Sequence, residues 1–522
     1  MRSEMVVGSS GGGIDRRGFL IWSGRGLGAG AWAALAGCGG GDGQTPDDPP
    51  LPPPSVEEIP PASAEARLLR RASFGVTAET QARAQALGVA AYVEEQLAYE
   101  ALDASAIEAE VAERFPLALA SPAALRSGFP GNQVQIVTEL LGAALLRAYF
   151  SPRQLFELMV EFWNDHFNVH LRNGIAPIFH PDYQQNAIRA HALGRFDALL
   201  LATARSPAML YYLDNFLNFA ASPQENYARE LLELHTLGVD GGYGETDVKE
   251  VARCFTGWTI DRTSAAFVFE PALHDDGPKT VLGTPITRGG AGDGEQVLEL
   301  LAAHPSTARF IATKLARRFV ADTPPPALVE ALRQSFVASG GDLRACLRTL
   351  FAHPEFTAVQ DAKLPRPTEF LGQLVRNLAP GGRFPAGDAW RPYFAILDLL
   401  AQIPYYWATP DGYPDLAAYW GGTSGLLNRW RVGLALGLPD FAAAFDPARA
   451  AGAAQSLSAL VSEVEARLLY RPLAAPDRQR VLDWLVAETG ADAEAVLAAG
   501  TRAAVVPALV ALLVSSPYFQ LR

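Results

Sequence analysis

The sequence predicts a mainly α protein, a large multi-helix bundle with one small inserted β-hairpin. Three observations carry that expectation. The 522 residues are 49% hydrophobic and 19% charged, enough apolar material for a large core in two or three lobes. From residue 64 onward apolar side chains recur at the helical period, in runs bounded by glycine or proline. Alternating, β-branched sequence is confined to two short runs, 266–270 and 280–286. The composition excludes a disordered chain or a collagen-like fibre. Three cysteines cannot staple a chain of this length, and a net charge of -13 argues against nucleic acid held by bulk electrostatics.

In chain order, residues 1–37 read as an export leader. Arg16-Arg17 followed by Phe19-Leu20 has the pattern of a twin-arginine signal. The apolar stretch after it is diluted by five glycines and interrupted by Arg25, too weak for a permanent membrane span. It ends in Leu35-Ala36-Gly37-Cys38, which looks like a lipobox. Cleavage there would leave a lipid-modified Cys38 at the head of the mature chain. The bland alternative is a cytoplasmic protein with a glycine-rich start. Residues 38–62 hold eight prolines and read as an extended tether, reaching roughly 70 Å at about 3.1 Å per residue. The expected location is therefore the periplasm or cell surface, with the membrane as partner through a lipid at Cys38.

The body divides into an N-terminal helical lobe, 63–360, and a C-terminal lobe, 361–522, packed on it. Thr77 is the expected N-cap of a helix over 78–86 that stops at Gly88. Runs 133–149 and 155–167 flank Pro152 and form a helical hairpin. Ser222 and Pro223 have the cap and first-turn chemistry of a helix over 223–237 ended by Gly238. Helices follow over 246–255, 306–320, 326–338, 343–351, 426–436, 456–469, 478–487 and 503–514. Between them, 266–270 and 280–286 pair as one hairpin turning through His274-Asp275-Asp276-Gly277, with Pro285 limiting the second run to an edge. Ser206-Pro207, His353-Pro354 and Ser516-Pro517 each follow an apolar helix and read as a reused helix ending. Cys254 and Cys346 sit in helical runs, which favours buried thiols over a disulfide.

Two clusters could carry chemistry. In 226–238, Asn226, Arg229, Glu230 and Glu233 share one helical stripe, with His235 nearly opposite. They form either a buried Arg–Glu network or a carboxylate pair that holds a metal or acts as acid and base. In 161–170, His166 and His170 are four apart, a spacing that on a helix suits two ligands of one metal. The alternative makes His166 a core histidine and places His170 past the helix end. His274 is a candidate third ligand or proton shuttle, or plain turn chemistry. Asp214, Asn215 and Asn218 could bind calcium or cap helices. The aromatic segment 402–430 could stack on a ligand or fill gaps between helices.

The chain resembles a large bacterial family designated domain of unknown function 1800. The likeness rests on Arg67-Leu68-Leu69-Arg70-Arg71-Ala72-Ser73-Phe74-Gly75, Phe162-Trp163-Asn164-Asp165-His166-Phe167 and Pro207-Ala208-Met209-Leu210-Tyr211-Tyr212-Leu213-Asp214. Its longest motif runs from Glu225-Asn226-Tyr227-Ala228-Arg229-Glu230 through His235-Thr236-Leu237-Gly238 to Ala252-Arg253-Cys254-Phe255-Thr256-Gly257-Trp258. His274-Asp275, Lys363-Leu364-Pro365-Arg366-Pro367 and Pro404-Tyr405-Tyr406-Trp407 complete it. The resemblance implies an exported, mainly helical protein, similar to proteins often encoded beside a second exported family of sulfatase-like appearance. It transfers no catalytic residue. Two functional expectations follow. One is an envelope-anchored enzyme with a divalent metal on His166, His170, Glu230 and Glu233, Arg229 pairing a carboxylate or a substrate anion, and His274 as acid or base. The other is a non-catalytic scaffold or partner for a co-exported enzyme.

Overall fold

Local capping chemistry starts several helices close to where the sequence places them. The computed structural model describes residues 59–522. Thr77 closes a capping box on Ala78–Leu87, with Thr77 Oγ1 accepting from the Thr80 amide at 3.1 Å and Thr80 Oγ1 from the Thr77 amide at 2.9 Å. Gln133–Phe150 and Gln154–His166 form the expected hairpin around Pro152, both deeply buried. The prolines of the recurring element do more than end a helix. Each occupies the first turn of a new short one, at Pro207–Tyr212, Pro354–Ala358 and Pro517–Gln520, where its missing N–H is not needed.

One helix start differs. Residues 222–225 are not helical, and the helix begins at Asn226. Ser222 pairs with Phe219 in an isolated bridge, and the Asn218 side chain accepts the Gln224 amide at 2.9 Å. That bond offers the backbone a loop instead of the cap expected from Ser222-Pro223. After Glu230 the helix widens to a π-helix over Leu231–Thr236, the Leu237 amide reaching the Leu232 carbonyl at 2.8 Å. The same widening occurs in Tyr183–Arg189 and Glu465–Leu469.

The expected single hairpin is two. β1 (Trp258–Ile260) pairs antiparallel with β2 (Phe267–Phe269), and β3 (Lys279–Val281) with β4 (Thr284–Ile286). The second run folds on itself because Leu282 and Gly283 both take positive φ, as a two-residue hairpin turn requires. His274 follows a short 3₁₀ turn, Pro271–Leu273, and is no part of either hairpin turn.

Helices before and after residue 361 share one continuous apolar core, from Leu68 and Trp163 to Leu371, Leu460 and Phe519. The body begins within the expected tether: Ile59 and Ala62 are buried, and the Pro60 carbonyl accepts Arg471. The leader 1–37, the lipobox with Cys38, and tether residues up to 58 lie outside the described residues. Among the described residues no helix is long and apolar enough to cross a membrane. Cys254 and Cys346 are both buried free thiols. The helix Thr423–Ala435 buries Arg429, Val432 and Gly433 yet exposes Leu427, Trp430 and Leu434 at 41%, 44% and 69%.

Candidate functional site

The helix Gln154–His166 ends at His166, with Phe167 as its C-cap, and this geometry separates the expected metal ligands. His170 lies beyond the helix end, so the i, i+4 facing of two imidazoles is not formed. The His166 ring is buried against Phe162, Phe167 and Phe310, its Nε2 3.0 Å from the His235 carbonyl. Burial, then the nearby Lys314 charge, push His166 far below the ordinary histidine range and His235 down to about 3. Both rings are neutral at physiological pH. Among the described residues no group of three or more His, Cys, Asp or Glu is placed to hold a metal ion.

The carboxylate stripe is formed in part. Burial, then the neighbouring Glu233, push Glu230 above the usual carboxylate range, with Asp411 adding to it. Arg229 points outward, donating to Glu245 at 2.7 and 3.0 Å and to Glu225 at 3.2 Å. Arg229 is therefore ion-paired, but at the surface and with Glu225 and Glu245, where the expected alternative was a buried network. His274 is held on both sides: Nδ1 lies 2.8 Å from the Thr256 carbonyl and Nε2 3.3 Å from Asp293. Lys279 donates to the same Asp293 oxygen at 2.7 Å, and the other Asp293 oxygen accepts the Gly289 amide. These contacts fasten the segment after β2 to the helix Ala291–Ala302. Asn215 and Asn218 donate their amides to the carbonyls of Phe255, Trp258 and Ala252, which is capping chemistry rather than an oxygen cage.

The residues that do converge are others. Glu161 and Asp165, four apart and so on one face of the Gln154–His166 helix, meet guanidinium groups from two distant segments, and a third joins through Glu369. Arg318 donates to Glu161 at 2.6 Å and lies 3.0 Å from Glu369 and 3.3 Å from Asp415. Arg366 pairs with Asp165 and reaches Asp415 at 3.5 Å. Arg522 closes on Glu369 at 2.7 Å. Thr368 donates to the second Glu161 oxygen at 2.6 Å. Four carboxylates thus face three guanidiniums, and the imbalance is visible in their acidities. Burial alone would raise Asp415, but Arg318, Arg366 and Lys363 hold it well below the usual carboxylate range. Burial pushes Asp165 up to about 6, against Arg366 and with help from Glu161 and Asp415.

Glu161, Asp165 and Arg366 line a cavity of about 60 Å³, walled on the far side by the Glu157–Arg189 ion pair. At roughly 30 Å³ per water in the liquid, this is room for about two waters. Its cover is the segment 402–415. Tyr405 and Tyr413 face the cavity, and Asn168 pins the segment by donating to the Trp407 and Thr409 carbonyls at 2.9 and 2.7 Å. Tyr212 donates to the Ala408 carbonyl at 2.8 Å. Gly412, at φ 72°, lies so close that a Cβ there would stand 2.0 Å from the Asp165 carbonyl.

A protein-family model described as "Protein of unknown function (DUF1800)" matches residues 67–521. The chain belongs to the DUF1800 family. No curated protein matches it, and no solved structure does. In this DUF1800 chain, four stretches that carry the resemblance meet at the cavity: the one holding Phe74, the one holding Asn164 and Asp165, the one holding Arg366, and the one holding Pro404 and Tyr405. Sequence reading passed over Asp165 because the adjacent histidines drew the chemical argument. The available signal was the Glu161–Asp165 spacing together with an arginine set between two prolines, Pro365 and Pro367.

Proposed function

We propose that this DUF1800 protein is an exported, lipid-anchored envelope protein whose helical body serves as a scaffold or partner for a co-exported enzyme. The observation that carries the reading is the apolar face on Thr423–Ala435, where Leu427, Trp430 and Leu434 are exposed on one side of a helix. Exposed apolar faces of this kind, with a tryptophan as anchor, mark interaction surfaces. The pairing of Arg229 and the two-sided fastening of His274 support the same reading, since both groups are engaged structurally. The leader supplies the location, and Cys38 the attachment.

The test has two arms. Replacing Arg16-Arg17 by lysines is expected to strand the precursor in the cytoplasm, and Cys38→Ser to abolish labelling by an alkyne-tagged fatty acid and release the protein from membranes. Co-expression with the sulfatase-like exported protein is expected to give one complex on size exclusion, lost in Leu434→Glu. An unlabelled wild type, or two proteins eluting separately, overturns the corresponding arm. A second reading, general acid–base catalysis without the expected metal set, is favoured by Asp165: a carboxyl near 6 on the wall of a water-sized cavity suits proton exchange at neutral pH.

A further inference from the structure

Away from that cavity, a groove of about 870 Å³ opens between the N-terminal helices and the segment around residues 376–382. Its size is that of a small-molecule site. Its lining holds four arginines, Arg83, Arg376, Arg449 and Arg467, against two glutamates, Glu79 and Glu95. Two of the arginines are spent at the rim: Arg83 pairs with Glu95, and Arg467 with Glu463. The other two differ. Arg376 donates Nε to the Gly75 carbonyl at 2.8 Å and Nη1 to the Tyr149 carbonyl at 2.7 Å. Arg449 donates Nε to the Asn377 carbonyl at 3.1 Å. Neither has a carboxylate within ion-pair distance among the described residues. Their stems are fixed by the backbone, and guanidinium N–H groups remain for the groove.

A half-buried guanidinium without an ion-pair partner is costly, and the sign of that cost shows in Arg376, which burial pulls down to about 10 against the smaller opposing effects of Tyr92, Tyr470 and Glu79. It stands out in a chain whose net charge is -13. A guanidinium with a fixed stem and free terminal nitrogens presents the planar fork that binds carboxylate or phosphate in two parallel bonds. Tyr92 and Tyr470 supply aromatic walls, and Thr77 a hydroxyl, for the uncharged remainder of a ligand.

We propose that this groove binds a small organic anion, its carboxylate or phosphate seated on Arg376 and Arg449. This goes beyond the scaffold reading and does not depend on it. The test is calorimetric titration of the purified exported protein, at low salt, with glucuronate, glucose 6-phosphate and glucose. Saturable binding of one or both anions, with none for glucose, is expected. Binding of glucuronate alone makes the natural group a carboxylate, and of glucose 6-phosphate alone a phosphate. Arg449→Gln is expected to weaken binding at least tenfold at unchanged melting temperature. Arg376→Gln removes two backbone bonds and can unfold the region, so Arg449 carries the decision. The proposal falls if neither anion binds, if glucose binds equally, or if Arg449→Gln binds as the wild type does.

Discussion

Asp165 shows how a residue's surroundings, rather than its type, set its chemistry. Its folded-state proton affinity exceeds that of the unfolded chain, because burial and the neighbouring carboxylates outweigh Arg366. A raised carboxyl pKa means that the stability it contributes is fully present below about pH 4 and is lost as pH rises through about 6. Glu369 has the opposite sign: Arg318, Arg522 and Arg366 hold it below the usual range despite burial, so its contribution is lost as pH falls below that range. Asp165→Asn is therefore expected to gain on the wild type between pH 4 and pH 7, by on the order of 2 kcal/mol. Urea unfolding at pH 4, 5.5 and 7 measures it, and parallel profiles for the two proteins refute it. At this scale the sequence was only partly legible. It flagged Glu230 and Glu233 as neighbours, and their mutual repulsion is there. It also offered His166 as a core histidine bonded to a backbone group, which is what the ring does; which carbonyl it meets was not legible, because that carbonyl belongs to His235, 69 positions away.

Elements were legible where their signals are local. Thr77, Ser456 and Asp342 cap the helices they precede, and each cap is a bond spanning three residues. The misread elements are those decided by distant partners: the Asn218 side chain overrides Ser222-Pro223, and the Gly257–Trp258 segment captures the first β run before the second can pair with it. The segment after β2 depends on one carboxylate. Asp293→Ala leaves Lys279 and His274 buried without their acceptor, and a loss of about 3–5 kcal/mol is expected by chemical denaturation. An Asp293→Ala protein as stable as the wild type would show that water replaces the carboxylate there. The cover over the Asp165 cavity depends on a close approach. Gly412→Ala is expected to lift the 402–415 segment, since its Cβ has no room beside the Asp165 carbonyl. Limited proteolysis should then cut within that segment at rates the wild type does not show.

Over the whole molecule, one ionic network joins segments from both sides of residue 361. Glu161 and Asp165 belong to an early helix, Arg318 to a middle one, Glu369 and Asp415 to the C-terminal half, and Arg522 to the far end of the sequence. The mainly helical class was readable from periodicity, but this network was not, since its members are single charged residues far apart in the chain, several of them set in otherwise apolar helices. Removing one partner of a buried cluster exposes the others to an uncompensated charge. Arg522→Ala is expected to cost about 3 kcal/mol or more, and to lower the cooperativity of unfolding if the two halves then separate. Calorimetry reports both. A loss under 1 kcal/mol would mean that Arg318 alone satisfies Glu369.

Arg70 and Arg522 carry a further consequence, for the timing of assembly. The Arg70 guanidinium donates to the carbonyls of Tyr518 and Leu521, and Arg522 returns a bond to the Arg70 carbonyl across 452 positions. A nascent chain emerging from the ribosome therefore holds the helix Ala64–Ala72 without these neighbours until residues 518–522 have been made.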